Sequence, residues 1–338
     1  MNFPTKYWHK LDDGRIQCDL CPQACKMQEG QHGLCYIRMR ENNQIVLTAY
    51  GKASGFMIDP VEKKPLNHFF PGTHALSFGT AGCNLACKFC QNWDISKTRS
   101  DERMSETATP AAIAKHALET QSESVAFTYN EPIISLEYTV DTAIECHKIG
   151  IKTIAVTNGY INPEPRKEFF AHMDAARIDL KAFTEDFYHK ITGSHLQPIL
   201  DTLKYVKNET NVWLEIICLL IPDENDSEDE IDAETKWIVN NLGSDVPVHY
   251  NAFHPAWKML DKNPTRRETL IRARNIAKKN GIHHVYIGNV DAGEAGNTFC
   301  HNCGKCIIAR SGYIITEYEL APGGYCNFCK TKCPGCFK

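Results

Sequence analysis

The sequence predicts an α/β fold, a partial, open (β/α)6-7 barrel of TIM type with small cysteine-rich appendages at both ends. Three observations lead there. Between about residues 74 and 290, β-branched apolar runs alternate with helical patterns, as βα units around a parallel sheet require. Those runs number six or seven, too few for a closed eight-stranded barrel. All but Cys146 and Cys218 of the 16 cysteines fall into three islands, and the islands suggest boundaries. Residues 1–60 are read as a four-cysteine metal-binding segment, 61–295 as the barrel and 296–338 as a zinc-ribbon-like domain.

The first strand, His74–Gly79, leads directly into a cysteine-rich loop. Further apolar, β-branched runs lie at 124–128, 153–157, 177–180, 212–221, 246–250 and 284–287. Helical patterns separate them. Thr109-Pro110 opens one helix with proline near its first position. Residues 134–149 form another, and 227–240 begins with a serine cap and an acidic first turn. A last helix over 266–279 stops at Asn280-Gly281. Cys146 and Cys218 stand alone in apolar-periodic segments, where a free cysteine serves as a small core residue.

The loop after the first strand reads Cys83-Asn84-Leu85-Ala86-Cys87-Lys88-Phe89-Cys90, a C-x3-C-x2-C triplet. Three thiolates hold three irons of a cubane cluster that normally takes four cysteines, which leaves one iron open to a small ligand. Gly82, Asn84 and Phe89 suit a loop that wraps, hydrogen-bonds and shields such a cluster. The alternative is part of a zinc site, but zinc is held by C-x2-C knuckles more than by one compact triplet.

CNLACKFC resembles the cluster loop of the radical S-adenosylmethionine (SAM) enzymes. Together with DPVEKKPLNHFFPGTHALSFGTAGCNLACKFCQNWDIS, the segments TYNEP, VTNGY, DLKAF, LIPDEND and YIGN resemble the AmmeMemoRadiSam system radical SAM enzymes, relatives of the pyruvate formate-lyase activating enzymes. The resemblance implies a [4Fe-4S] cluster at Cys83, Cys87 and Cys90 whose open iron chelates the methionyl amine and carboxylate of SAM. It also implies an external electron donor, reductive cleavage of SAM to a 5′-deoxyadenosyl radical, and companion proteins of Memo and Ammecr type. The substrate is unidentified; hydrogen abstraction from a protein and from a small molecule both fit.

In a barrel the site sits at the carboxyl ends of the strands. Glu131, in Thr128-Tyr129-Asn130-Glu131-Pro132, matches by the resemblance the glutamate of a glycine-glycine-glutamate-proline segment that binds the SAM amine. Here Tyr129-Asn130 replaces the two glycines. The plainer reading of Asn-Glu-Pro is a helix start. Asn158 suits a ribose hydroxyl, or an ordinary turn with Gly159. Asp179 and Lys181 share one side of their strand, as a SAM-and-substrate pair or as a structural salt bridge. Asn225 is a SAM contact by resemblance and otherwise a turn cap. His249 and His254 are candidate substrate-side groups, with a buried, hydrogen-bonded histidine as the alternative. Asn289, in Ile287-Gly288-Asn289, stands where the resemblance places adenine.

At the C-terminal end, Cys300-x2-Cys303 and Cys326-x2-Cys329 flank a β-rich segment with the spacing of a zinc ribbon. Cys306, Cys333 and Cys336 accompany them, and Cys333-x2-Cys336 could compete as a knuckle. The N-terminal Cys18, Cys21, Cys25 and Cys35 fit zinc or a second iron–sulfur cluster, the latter as an electron relay or substrate anchor.

A net charge of −4 argues against nucleic-acid binding, and no apolar run approaches a membrane span. The start, MNFPTKYWHKLDDGRI, lacks the apolar core of a secretory signal. So many cysteines are read as metal ligands in a reducing cytoplasm. The competing function class is a non-catalytic iron–sulfur and zinc scaffold or electron carrier of a Memo/Ammecr-type system.

Overall fold

The computed structural model describes residues 2–98 and 106–338. Its main sheet contains the antiparallel strand β1 (Lys52–Pro60) and seven parallel strands: β2 (His74–Gly79), β3 (Ser124–Phe127), β4 (Lys152–Thr157), β5 (Ala175–Asp179), β6 (Trp213–Leu220), β7 (Val248–Ala252) and β8 (Val285–Gly288). They pair in chain order from β1 to β8, with Glu106–Thr107 paired outside β1. β8 and β2 do not pair, so the barrel is open, as the strand count requires. β1 was read as part of the N-terminal segment; its Gly55 and Pro60 hide the strand, yet Ile58 pairs with Leu76.

Among the described residues, six helices of nine or more residues cover the outside: α1 (Pro110–Glu119), α2 (Leu136–Lys148), α3 (Pro163–Ala171), α4 (Gln197–Glu209), α5 (Glu228–Leu242) and α6 (Arg267–Lys279). The Thr109 hydroxyl accepts from the amide of Ala112 at 3.2 Å, and Ser227 caps α5 through the Glu230 amide at 3.3 Å. The predicted helix over 134–149 begins as a 3-10 turn, Pro132–Ser135, before α2. Strands such as Ser124–Phe127 are buried throughout, because helices cover the outer face and side chains fill the interior. No helix among the described residues is long and apolar enough to cross a membrane.

The N-terminal segment forms two small three-stranded sheets around Ile16, Ile37 and Ile45. At the other end, strands Cys306–Ser311 and Ile314–Tyr318 make a hairpin. The final residues return to the barrel's amino-end floor. There Phe70 donates its amide to the Cys336 carbonyl at 2.7 Å, and Cys336 donates to that of His68 at 2.7 Å.

Candidate active site

The cysteine loop leaves β2 and is fixed from three sides. Gly82 donates to Ile95 O at 2.9 Å, Ala86 to Thr192 O at 2.7 Å and Lys88 to Ile191 O at 3.0 Å. Cys83, Cys87 and Cys90 then line a cavity of about 410 Å³ above the carboxyl ends of the strands. Burial pushes the Cys83 thiol up to about 12, against the pull of Lys97. A thiol held so high loses its proton to solvent readily only when a metal takes the proton's place on sulfur. Lys97 and Lys181 both bias Cys87 toward thiolate, though burial outweighs them. The Lys181 ammonium lies 5.7 Å from the centroid of the Phe89 ring.

The turn after β3 supplies the opposite wall. Asn130 Nδ2 donates to Gly82 O at 2.8 Å and to Thr80 Oγ1 at 2.9 Å, tying the turn to the cysteine loop. Tyr129, standing for a glycine of the expected segment, has φ +67°, a left-handed conformation seldom adopted by a bulky residue. Glu131 is 1% exposed. Its Oε1 accepts from Thr157 Oγ1 at 2.5 Å and from the Ile133 amide at 3.1 Å, and its Oε2 from the Asn158 amide at 2.8 Å. Glu131 therefore does cap the short helix after it, while still lining the cavity. Burial pushes its carboxyl up to about 7, with those donors pulling back.

Three residues at alternate positions on β5 and just beyond it form a charged row. Asp179 accepts from Lys181 Nζ at 2.6 Å and pairs with Arg177, and all three line the cavity. Burial lowers the Arg177 guanidinium to about 10, with Glu131 opposing. Arg177 was missed in the sequence, although period two from Asp179 points to it. A second missed pair is Asp59 with Lys64, at 2.8 Å.

Asn158 and Asn289 line the cavity but are already engaged. Asn158 Nδ2 donates to Asn84 Oδ1 at 2.8 Å, and Asn289 Nδ2 to Ala252 O at 3.1 Å. Three other candidates stand outside the cavity wall. Asn225 clips backbone, donating to Lys181 O at 2.6 Å and Leu219 O at 2.9 Å. His249 faces inward at the floor, 2.6 Å from Glu215 and 2% exposed. His254 is exposed, with Nε2 3.3 Å from Asn289 O.

A family model described as the radical SAM superfamily matches residues 78–234. Over 304 residues the chain is 39% identical to the uncharacterized protein MJ0808 of Methanocaldococcus jannaschii, covering 90% of each chain. The chain belongs to the radical SAM superfamily. This radical SAM enzyme is also 24% identical to the pyruvate formate-lyase 1-activating enzyme of Escherichia coli strain K12, over 62% of this chain and 91% of that one. In fold it is similar to a radical SAM methyltransferase from Sphaerobacter thermophilus, with a TM-score of 0.52 and 14% identity over 85% of this chain and 76% of that chain.

Membership implies a [4Fe-4S] cluster and SAM. The residues fit both: one buried and two half-buried thiols beside two lysines suit an anionic cluster, and the polar strand ends suit a zwitterionic ligand. Elsewhere, the radical SAM enzyme gathers ligand atoms of Cys300, Cys303, Cys326 and Cys329 within 4.8 Å of one another. Cys300 and Cys329 sulfurs lie 3.5 Å apart and those of Cys303 and Cys326 3.8 Å. The four N-terminal thiols line a separate cavity together with Asn84, whereas Cys83 and Leu85 line the main one. Neither they nor the cluster-loop thiols form a group as tight as the ribbon's.

Proposed function

We propose that this enzyme binds SAM in the strand-end cavity, with Cys83, Cys87 and Cys90 ligating the cluster and Glu131 facing the methionyl amine. The observation that carries the reading is the convergence of the three thiols, Glu131 and the Arg177-Asp179-Lys181 row on one cavity. Glu131 Oε2 accepts one protein hydrogen bond, which leaves it an acceptor position for an amine N–H. Lys181 and Arg177 suit the methionyl carboxylate, and Asp179 holds both cations in place. Asn158 and Asn289, whose amide groups each keep a second hydrogen and a second lone pair, face the nucleoside with that remaining capacity, and Asn225 positions Lys181 through its carbonyl. When bound, the cluster supplies the electron that splits SAM into methionine and a 5′-deoxyadenosyl radical, which takes a hydrogen atom from substrate.

Relatives named as activating enzymes favour a macromolecular substrate, such as a Memo-type or Ammecr-type companion. The test is anaerobic reconstitution with iron and sulfide, reduction with dithionite, and quantification of 5′-deoxyadenosine with and without each companion. Wild type is expected to form it, and a Cys83→Ala/Cys87→Ala/Cys90→Ala variant is not. No product from cluster-loaded wild type, alone or with the companions, would favour the scaffold or electron-carrier reading.

The ribbon thiols suit a single zinc ion: tetrahedral bonds of about 2.3 Å place sulfurs about 3.8 Å apart, close to the 3.5 and 3.8 Å separations there. The wider N-terminal set favours a second iron–sulfur cluster. Buried Arg38 beside Cys18 and Cys35 suits an anionic centre, and its Nη1 has no protein partner. Iron content of about eight per chain in wild type, and about four in the triple variant, is the expected result.

A further inference from the structure

We propose that His68, His284 and Cys333 form a further metal site, a buried centre for a zinc-class divalent ion that pins the C-terminal tail to the barrel floor. The three side chains come from distant parts of the chain: the loop before β2, the residue preceding β8, and the tail beyond the ribbon. One ligand atom from each lies within 4.8 Å of the others, and all three residues are buried. His68 Nδ1 stands 3.8 Å from Cys333 Sγ, and the two imidazole centroids are 4.5 Å apart. A nitrogen and a sulfur on one tetrahedral zinc are about 3.5 Å apart, given bonds of about 2.0 and 2.3 Å.

The second observation is an orphan. His284 is 3% exposed, and its Nε2 has no hydrogen-bond partner. A buried ring nitrogen without a partner is costly, and a metal ion removes that cost. The surroundings supply what a ligating histidine needs at its other nitrogen. His68 Nε2 is 2.6 Å from the Tyr286 hydroxyl, which lies 2.8 Å from Thr298 Oγ1. With Nδ1 on the ion, Nε2–H donates to Tyr286, whose hydroxyl passes its own proton toward Thr298. The Pro334 carbonyl, 2.6 Å from His68 Nδ1, accepts that nitrogen's N–H in the metal-free chain, a hydrogen bond that ion binding replaces. Glu215, accepting the His68 amide at 2.8 Å, adds negative charge beside a centre with one thiolate.

The spacing Cys333-x2-Cys336 suits a knuckle. Cys336 instead lines a different hollow with Asp174 and Lys152, so Cys333 has the histidines as its partners.

Every other metal ligand assigned in this chain is a thiol, which gives the site its own signature. Untagged full-length protein is purified anaerobically from zinc-supplemented medium and examined by zinc X-ray absorption and metal analysis. Wild type is expected to show zinc–nitrogen scattering beside zinc–sulfur. His284→Gln and Cys333→Ser are each expected to lose about one zinc per chain, and His284→Gln to lose the nitrogen contribution. An all-sulfur zinc environment in wild type overturns the proposal without recourse to any variant. So does unchanged zinc content in both variants.

Discussion

Gly82 is pressed against the carbonyl of Cys35. A Cβ at Gly82 would stand 2.0 Å from that oxygen, and φ there is +84°. The cluster loop and the N-terminal four-cysteine segment are thus in backbone contact, reinforced by Gln23 donating to Asn84 O at 3.0 Å. Gly82→Ala is expected to lower both thermal stability and iron uptake. Gly30→Ala is the control, since Gly30 has a similar φ of +79° but open space around it. Backbone strain alone costs on the order of 1 kcal/mol, so the excess loss in Gly82→Ala measures the contact.

Affinity for SAM should rise with pH through neutrality. Glu131 is held up to about 7 by burial, so below that value it is largely a neutral acid and a poor acceptor for the methionyl amine N–H. Calorimetric titration from pH 6 to 8 is expected to show tightening with proton release. Glu131→Gln should bind SAM weakly across the range, with the slope removed.

Burial also pushes Glu234 up to about 7, while Tyr250 and the Cys218 thiol donate to its Oε1 at 3.2 and 3.1 Å. A carboxyl whose folded value is raised binds more protons folded than unfolded between about 4.5 and 7. Its contribution to stability is therefore full at the acid end and lost as pH rises through about 7. Melting temperatures of Glu234→Gln, which keeps an oxygen acceptor, should fall less between pH 5 and 8 than those of wild type.

Asp179→Asn removes the charge that holds Arg177 and Lys181 together. Formation of 5′-deoxyadenosine is expected to drop roughly tenfold to hundredfold, as misplacement of binding groups commonly does, with cluster content unchanged. Arg177→Lys should not substitute well, because the planar fork also donates to Lys64 O at 2.8 Å.

Cys303→Ser is expected to lose about one zinc per chain and expose the hairpin around Ile314 to protease. SAM cleavage should persist, since no ribbon residue lines the main cavity.

The barrel strands were legible because both faces are buried, which writes them as β-branched runs. β1 was not, because its Gly55 and Pro60 interrupt the pattern while its pairing with β2 supplies the stability. Glu131 needed the family resemblance, since Asn-Glu-Pro by itself reads as a helix start, whereas the thiol triplet could be placed at the strand ends from its spacing. His249 could not, because alternation along a strand gives the face and not the depth: it shares a face with Asn251 yet reaches Glu215 at the floor. Burial resists the ionisation of Glu215, but hydrogen bonding and charge from His249 hold it down to about 2. Asn225 and Asn158 look like ligand contacts by residue type, but much of their hydrogen-bonding capacity goes to the protein itself.

The return of the tail to His68 bears on biosynthesis. His68 and Pro334 meet across a sequence separation of 266 residues, so the floor beneath the early strands is completed only after every barrel strand has been translated. Until that tail leaves the ribosome, the barrel can form its carboxyl-end loops but not its closed underside. Sealing the floor is therefore a late event in synthesis, and a chain cut short before Cys333 would leave Tyr286 and His284 open to water.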